Sequence, residues 1–436
     1  MPDLQSAVPQ DIAYVQESNG TNPHYILWML TVMSAVSFMD RQVFAVLSPQ
    51  VKLEFNLSDL QVGIVTGLGF ALTFSILGIP LGRVADSHSR RNLIAVCRTL
   101  GAAITMLGAG AAGFWQLAFT RTGGALSEAG GAPASMSLIT DLYAPRHRSR
   151  AISVFGLGAN VGALLALVGG GWLAQKFGWR VTLAGICCAS MALALLFRIS
   201  VREPGRGMVA MAPAREAVGQ DAVRQIWRIP VARALIVAAA FVLISAYAFG
   251  AWNFTYLVRY HHLSLSQAGL VSGVAAIGSV LGGLTAGALA DHLARRDARW
   301  QIGVPLAGIS CALPLGLLYF LVPSGGIAWV TALVAAFAFF VSWWVAPTYA
   351  ALSFVVASNR RATANAMLLL AGSVLGSGVS PALTGWVSDL LAPMAGADSL
   401  RYAMAMAMSL LSAALLAFYF ALKAYPAAKA SAERYK

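Results

Sequence analysis

Four ionisable side chains interrupt long apolar stretches of this 436-residue chain. Asp40 and Arg41 lie in the first stretch, and Arg121 and Glu128 lie in the fourth. A charge inside a bilayer costs ~2.5–3.5 kcal/mol, so such groups usually pair or serve a function. Arg121 and Glu128 are about two helical turns apart and share a helix face, whereas adjacent residues diverge by ~100°. The four charges cancel, which predicts a network between two neighbouring helices.

This network could couple a proton to an anionic substrate. Desolvation favours the protonated form of a carboxyl group, and a nearby arginine opposes that effect. Protonation of Asp40 or Glu128 would release Arg41 or Arg121, whose planar fork binds phosphate or carboxylate oxygens bidentately. We therefore predict Asp40 and Glu128 as proton-coupling residues, and Arg41 and Arg121 as substrate-binding residues. The alternative is a static network that holds two helices together.

Polar and aromatic side chains in other apolar stretches could complete a cavity. Trp252, Asn253 and Tyr256 lie at positions i, i+1 and i+4 of the seventh stretch, and Asn160 lies in the fifth. We predict these four as substrate-binding residues. An apolar wall opposite the charges would make an amphipathic cavity, suited to a substrate with a polar head and an apolar tail. The alternative for the aromatic residues is packing at a membrane–water interface, where they are common.

The elements that would position these residues are membrane-spanning helices. The chain is 58% hydrophobic and only 11% charged, whereas soluble domains average about 25% charged residues. So little charge cannot cover a water-facing surface, and about 20 apolar residues cross a ~30 Å membrane core. The sequence predicts an all-α membrane protein with twelve transmembrane helices. They cover approximately residues 25–48, 60–82, 92–112, 114–140, 151–174, 181–199, 231–258, 267–290, 301–322, 327–350, 363–390 and 399–422.

Basic residues predict the orientation of these helices. They concentrate after spans two, four, eight and ten, and the side of the membrane rich in Lys and Arg is the cytoplasmic one. Both termini are then cytoplasmic, and the protein is expected in the cell (inner) membrane. The predicted organisation is a cytoplasmic tail (1–24), a six-helix bundle (25–200), a cytoplasmic linker (201–230), a second six-helix bundle (231–422) and a cytoplasmic tail (423–436).

One charged pattern occurs twice, about half a chain apart. The segment Gly82–Arg91 reads Gly-Arg-Val-Ala-Asp-Ser-His-Ser-Arg-Arg, and Gly287–Arg296 reads Gly-Ala-Leu-Ala-Asp-His-Leu-Ala-Arg-Arg. The first copy closes the second predicted span and the second copy closes the eighth. The same spacing at the same topological position in both halves indicates an internal repeat. We therefore predict two parallel, pseudo-symmetric six-helix repeats.

The segment Gly78–Arg91 resembles the cytoplasmic loop signature of the major facilitator superfamily, and so does its second copy. The resemblance implies that Asp86 contacts the facing half of the protein beside a helix N-terminus. A carboxylate gains ~0.3–1 kcal/mol there, enough to bias a conformational equilibrium. We expect Arg98 either to extend to the membrane surface or to join the Asp86 group. The predicted conformational latch comprises Gly82, Asp86, Arg90, Arg91, Asp291 and Arg295, and the alternative for the arginines is a topology signal alone.

The segment Phe38–Arg41 resembles the Asp-Arg pair of two transporter groups. One is the spinster family of proton-linked transporters of lysophospholipids and sphingosine phosphate, and the other comprises proton-coupled symporters of sugar acids. The segments Leu126–Gly130 and Arg148–Ala151 are more similar to the spinster pattern, from which Ser127 departs because glycine is usual there. The resemblance implies a proton-coupled transporter of a lysolipid-like or sphingoid-phosphate-like substrate. The alternative is a symporter of small organic anions.

Other functional classes fit less well. The net charge of +13 lies in short clusters between apolar runs, so no nucleic-acid partner is expected. The four cysteines fall inside apolar runs without metal-ligand spacing, and no enzyme motif is visible, so we expect no metal, cofactor or catalytic residue. A two-fold repeat with central charges favours a carrier over a channel. The expected partners are a proton, a small amphipathic or anionic substrate and the lipid bilayer, and we expect a monomer.

Overall fold

The computed structural model describes residues 21–203, 220–321, 326–357 and 360–434. Within these ranges the chain forms helices and no strand. We label the main helical segments in chain order, and a short unlabelled helix covers Gln220–Arg228. They are α1 (Pro23–Phe55), α2 (Asp59–Ser87), α3 (Arg90–Leu107), α4 (Phe114–Leu142), α5 (145–177), α6 (179–200), α7 (Pro230–Arg259), α8 (Leu265–Ala294), α9 (Trp300–Leu321), α10 (Ile327–Val355), α11 (361–395) and α12 (Ser399–Ser409 with Leu411–Arg434).

Most of these segments are long and apolar enough to cross a membrane. Nine continuous helical runs in the described ranges meet that condition, and two of them, His147–Ser200 and Thr363–Lys429, are 54 and 67 residues long. About 20 residues suffice for one crossing. The helix α4 is not among the nine, since it is rich in Gly and Ser and contains Arg121 and Glu128. The chain is a multi-pass membrane protein, and the count of twelve spans stays a prediction.

Several helices extend beyond their predicted bounds. The break between α5 and α6 is a single residue, Gly178, whose φ of 79° suits glycine because it has no Cβ. The helix α1 continues through Pro49 to Phe55. The helix α12 continues to Arg434 through a segment rich in Ala and Lys, which are strong helix formers. Much of the predicted linker lies outside the described residues, and the domain boundaries stay predictions.

The two halves of the chain meet at one end of the molecule and separate toward the other. On α2, Gly67 lies against the backbone of α11, but a Cβ at Gly78 would have no neighbour within 4 Å. On α5, Gly171 lies against the backbone of α8, whereas Asn160 is exposed. Eleven residues are about three turns, so each pair shares a helix face. We call the end where α1 finishes and α2 begins the closed end, and the opposite end, where α1 begins, the open end.

Two π-helical turns face each other where the halves begin to separate. They are Ile64–Leu68 in α2 and Gly372–Val379 in α11, and they contact each other across the interface. A Cβ at Gly67 would lie 2.9 Å from Cγ of Pro381, so the absence of a side chain allows this approach. Single π-helical turns are frequent at functional sites. The cleft that begins here is the candidate site.

Candidate substrate and proton site

The predicted charges on α1 and α4 meet in the structure. Nη1 of Arg41 lies 3.3 Å from Oε1 and 3.5 Å from Oε2 of Glu128. The two side chains are 21% and 15% exposed, so the pair is neither sealed in the protein nor fully solvated. Arg41 turns away from its neighbour Asp40, as helix geometry predicts. A long ion pair in partial contact with a cleft can exchange a partner for a ligand.

Asp40 occupies a separate, buried part of the same cluster. Its Oδ2 atom lies beside Gly124, where a Cβ would be 3.0 Å away. The positive charges of Arg121 and Arg98 act on its carboxylate. Nη2 of Arg121 lies 3.5 Å from the carbonyl oxygen of Arg41. Within the described residues, Oδ1 of Asp40 and Nε and Nη1 of Arg121 have no hydrogen-bond partner.

Arg98 is a member of the cluster that the sequence interpretation placed elsewhere. Its side chain is 5% exposed, and its Nη2 donates to the carbonyl oxygen of Met33 at 2.8 Å. The expectation that it extends to the membrane surface or joins the Asp86 group is wrong, because the guanidinium points inward to α1. The sequence contained a signal for this, because Arg98 lies two turns inside an apolar helix, where an arginine needs a partner in the protein interior. With Arg98 the cluster contains three arginines and two carboxylates, which leaves one net positive charge.

Aromatic rings surround the cleft side of Arg41. Its Cζ lies 4.6 Å from the ring centroid of Phe70 and 5.9 Å from that of Tyr247. Tyr247 belongs to α7, so it contacts Arg41 from the opposite half of the chain. Cationic groups over aromatic rings gain ~0.5–2 kcal/mol. The cleft between the halves is lined by Arg41, Gln42, Ala45, Thr66, Gly67, Phe70, Tyr247, Gly250, Ala251, Ser377 and Pro381.

The predicted aromatic residues of α7 lie nearer the closed end than this cleft. Trp252, Asn253 and Tyr256 are at most 3% exposed. Trp252 donates to the carbonyl oxygen of Pro381 at 2.9 Å, Tyr256 donates to the carbonyl oxygen of Tyr319 at 3.1 Å, and the Tyr319 hydroxyl donates to Asn253 at 2.8 Å. In this conformation the three residues belong to the packed interior. Their contact with a substrate stays a prediction. Tyr247, about one and a half turns before Trp252, was missed.

Asn160 has a different environment from these buried residues. It is exposed and shares a face of α5 with Leu164, whose Cδ1 approaches Gly273 of α8. Residues four apart on a helix share a face, so Asn160 lies on a face of α5 that contacts α8 further along the helix. Its contact with a substrate stays a prediction.

An ion-pair cluster holds the two halves together at the closed end. The carboxylate of Asp59, at the start of α2, accepts from Arg259 of α7 at 2.7 and 2.9 Å and from Ser388 of α11 at 2.6 Å. Lys52 of α1 also pairs with it, and Asp389 accepts from the Asp59 amide at 2.9 Å. Sequence reasoning missed this cluster because charges near the ends of spans are typical topology signals.

Two of the predicted latch residues are bound within one half at the open end. Arg90 is buried and pairs with Asp141 of α4, and its Nε donates to Glu203 at 3.4 Å. Arg91 donates from its side chain to the carbonyl oxygen of Val201 at 3.1 Å. These contacts fasten α3 to α4 and to the residues after α6. Both arginines therefore have structural partners. The alternative that they are topology signals alone does not account for these contacts.

Glu203 is the acceptor that organises this group. It accepts from the backbone amides of Arg90 and Arg91 at 2.9 and 3.1 Å and from the hydroxyl of Ser89. Burial raises the pKa of the Glu203 carboxyl, but these hydrogen bonds and the charge of Arg90 outweigh burial and leave the pKa below its ordinary value. Glu203 is therefore ionised at neutral pH and contributes an anion at the N-terminus of α3.

The remaining predicted latch residues are exposed at the open end. Asp86, Asp291 and Arg295 have exposed side chains, and a Cβ at Gly82 would meet no atom within 4 Å. An exposed ring of charge is the arrangement expected when the two halves are apart at this end. A latch between Asp86 and the facing half stays a prediction.

Comparison with known proteins gives this geometry a family. The model of the Major Facilitator Superfamily matches residues 30–381. An MFS-type efflux pump of Mycolicibacterium smegmatis is 33% identical over 86% of this chain and 87% of its own length. The protein spinster homolog 1 of Xenopus laevis is 25% identical (84% and 72%), and a hexuronate transporter of Bacillus subtilis is 22% identical (88% and 92%).

A solved structure shows the same architecture. The crystal structure of a bacterial homolog of the human lysosomal transporter spinster, described as inward-facing and occupied, superposes with a TM-score of 0.79 at 27% identity, and the match covers 94% of this chain and 99% of that one. A match of that extent covers both halves of the chain. The multi-pass helical fold, the duplicated charged segment and the extent of the family match agree, so the chain is a transporter and not an enzyme, and it belongs to the major facilitator superfamily.

Proposed function

We propose that this protein is a proton-coupled secondary transporter that moves an amphipathic anionic or zwitterionic substrate by alternating access. The observation that carries the proposal is the Arg41–Glu128 ion pair, 3.3 Å long, in partial contact with a cleft between the halves. A carrier needs a charged group that can leave an internal partner for a ligand. This pair has that geometry at the depth where the halves separate.

Coupling follows from the charge of the cluster. Asp40 and Glu128 oppose three arginines, so the cluster has one net positive charge before any proton binds. Protonation of either carboxyl group removes a negative charge and leaves an arginine without its partner. An anion can then replace the lost charge, with Arg41 as the group that contacts it in the cleft. Proton and anion thus favour each other's binding, which predicts that both cross in the same direction.

The substrate class follows from the walls around Arg41. Phe70 and Tyr247 present aromatic surface within 6 Å of its guanidinium, and most of the other lining residues of the cleft are small. A substrate with a polar head on Arg41 and an apolar tail beside the rings would contact both the guanidinium and the aromatic walls. The similarity to spinster proteins supports this class. The second candidate, a small organic anion such as a sugar acid, is favoured by the similarity to a hexuronate transporter.

The test of coupling is substrate flux into proteoliposomes across an imposed pH gradient. Glu128→Gln and Asp40→Asn each remove one titratable group, and we expect each variant to lose at least about tenfold of the pH-driven rate while substrate exchange without a gradient persists. The matched control is Asp297→Asn, an exposed carboxylate near the end of α8 that should leave both rates unchanged. If both cluster variants respond to the pH gradient as the wild type does, coupling through this network is refuted.

The substrate and the direction need a second measurement. To separate the two substrate classes, uptake of a labelled lysophospholipid is measured with unlabelled glucuronate in excess, and uptake of labelled glucuronate is measured with unlabelled lysophospholipid in excess. The direction follows from substrate-dependent pH changes inside the vesicles: cotransport acidifies the compartment that gains the substrate. The name of the Mycolicibacterium relative indicates outward movement. If inward proton flow drives substrate outward here, proton and substrate compete for the cluster, and the cooperative scheme is wrong.

A further inference from the structure

The structure contains a second cavity, distant from the charged cluster and open toward the surface of the protein. It lies between the first two turns of α7 and the middle of α12 and encloses about 460 Å³. We propose that this groove binds one anionic phospholipid of the surrounding bilayer, with the phosphate at Arg233 and an acyl chain in the groove. The lining residues are Pro230, Arg233, Ala234, Val237, Ala417, Phe420 and Ala424.

The shape of the groove fits an acyl chain. Its walls are helix faces with i, i+3 and i+7 spacing, which run parallel to each helix axis. Six of the seven lining residues are apolar, and small alanines on both helices leave the space. Phe420 is 63% exposed at the outer edge. In a membrane-spanning protein such a surface faces lipid, because contact between apolar walls and water is unfavourable.

The charge of the groove selects the headgroup. Arg233 is exposed at the wall, and its guanidinium has no ion pair or hydrogen bond to any other described residue. Among the residues that the structure describes, no acidic side chain lines the groove. Arg224 and Arg228 are exposed on the short helix that precedes α7. Arg233 lies in the first turn of a 30-residue apolar helix. The end of a membrane-spanning helix of this length lies at the depth of the lipid phosphates. A guanidinium there contributes about 1 kcal/mol toward an anionic lipid.

The experiment measures lipid binding to the intact protein in detergent by native mass spectrometry. Phosphatidylglycerol and phosphatidylcholine with identical acyl chains are titrated separately, and soluble glycerol phosphate is the headgroup-only arm. We expect the wild type to bind phosphatidylglycerol more tightly than phosphatidylcholine and to bind glycerol phosphate far more weakly. Arg233→Gln should reduce the apparent affinity for phosphatidylglycerol about five-fold. Val237→Trp fills the groove and should reduce the binding of both lipids.

The matched control is Arg198→Gln. Arg198 is an exposed arginine in the last turn of α6 and does not line the groove. Its loss should leave phosphatidylglycerol affinity within two-fold of the wild type. Equal losses for Arg233→Gln and Arg198→Gln would mean a general surface attraction and would overturn the proposal, as would no loss for either. Melting curves without added lipid should coincide for all three variants and the wild type, which separates lost lipid binding from lost folding.

Discussion

Arg41 is the residue on which the site depends, because three kinds of contact converge on its side chain. Glu128 provides the charge, Phe70 provides a ring on which the planar guanidinium can lie, and Tyr247 reaches it from the other half of the chain. An ammonium group could replace the charge alone. A planar group with several fixed donors can bind an anion bidentately and keep contact with a ring.

We therefore expect Arg41→Lys to impair transport although it preserves the charge. The loss of the fork and of ring contact should raise KM for the substrate about thirty-fold, since each of the two contacts is worth about 1 kcal/mol. The measurement is the concentration dependence of proteoliposome flux. Arg198→Lys is the control, because that exposed side chain lies outside the cleft. An unchanged KM for Arg41→Lys would mean that the substrate does not contact the guanidinium.

At the scale of helices, the two ends of the molecule use ion pairs differently. At the closed end, Asp59 joins α2 to α7 and α11, so this cluster crosses the interface between the halves. At the open end, Arg90, Asp141 and Glu203 join helices of one half. A contact that crosses the interface breaks whenever the closed end opens, whereas a contact within one half can persist through the cycle.

The closed-end cluster makes a prediction about conformation. Asp59→Asn leaves Arg259 and Lys52 without their shared anion, and breaking a buried ion pair costs about 3–5 kcal/mol. The closed end should open more often. Distances between spin labels at Leu53 and Met394, both highly exposed, should gain a longer population after the exposed cysteines Cys188 and Cys311 are replaced.

Glu54→Gln is the matched control for that measurement. Glu54 is a carboxylate at the same end, but its partners Trp179 and Arg180 belong to its own half. Its loss should leave the label distance unchanged. If the two variants shift the distribution equally, the cluster around Asp59 is not what holds the closed end together.

The open-end group makes a prediction about stability. The pKa of Glu203 lies below its ordinary value, so the folded state prefers the ionised carboxylate. Its contribution is present above the ordinary glutamate pKa and is lost as pH falls through the folded pKa. Glu203→Gln should lower the free energy of unfolding by about 1–2 kcal/mol at pH 7. Thermal melts at pH 7 and pH 4 check this: the difference from the wild type should shrink at the lower pH, and a constant difference would contradict it.

At the scale of the whole molecule, hydropathy predicted the multi-pass helical fold, because apolar runs report how the chain meets lipid. The division into two six-helix repeats, which the duplicated charged segment predicts, stays a prediction. The charges of α1 and α4 were equally visible, since an ion inside an apolar run needs a partner. The contact of Arg98 with α1 and the contact of Tyr247 with Arg41 were not visible in the sequence, because they depend on the rotation of one helix against another. Sequence spacing fixes which residues share a face and leaves open which face meets the cavity.

The two halves pack closely at the closed end and not at the open end, and this difference leads to a prediction about alternating access. A Cβ at Gly63 of α2 would lie 2.7 Å from the Cα of Ala382 in α11, closer than real Cβ contacts, whereas one at Gly78 would meet nothing within 4 Å. Gly63→Ala should therefore disfavour the closed end and increase the long Leu53–Met394 distance, while Gly78→Ala should leave that distance as in the wild type. If the halves rock about the central cleft, the face around Gly78 closes when Gly63 separates from α11. A bulky Gly78→Trp should then keep the closed end shut and stop transport. An unaltered transport rate for Gly78→Trp would mean that the open end never closes on this face, and the rocking scheme would fail.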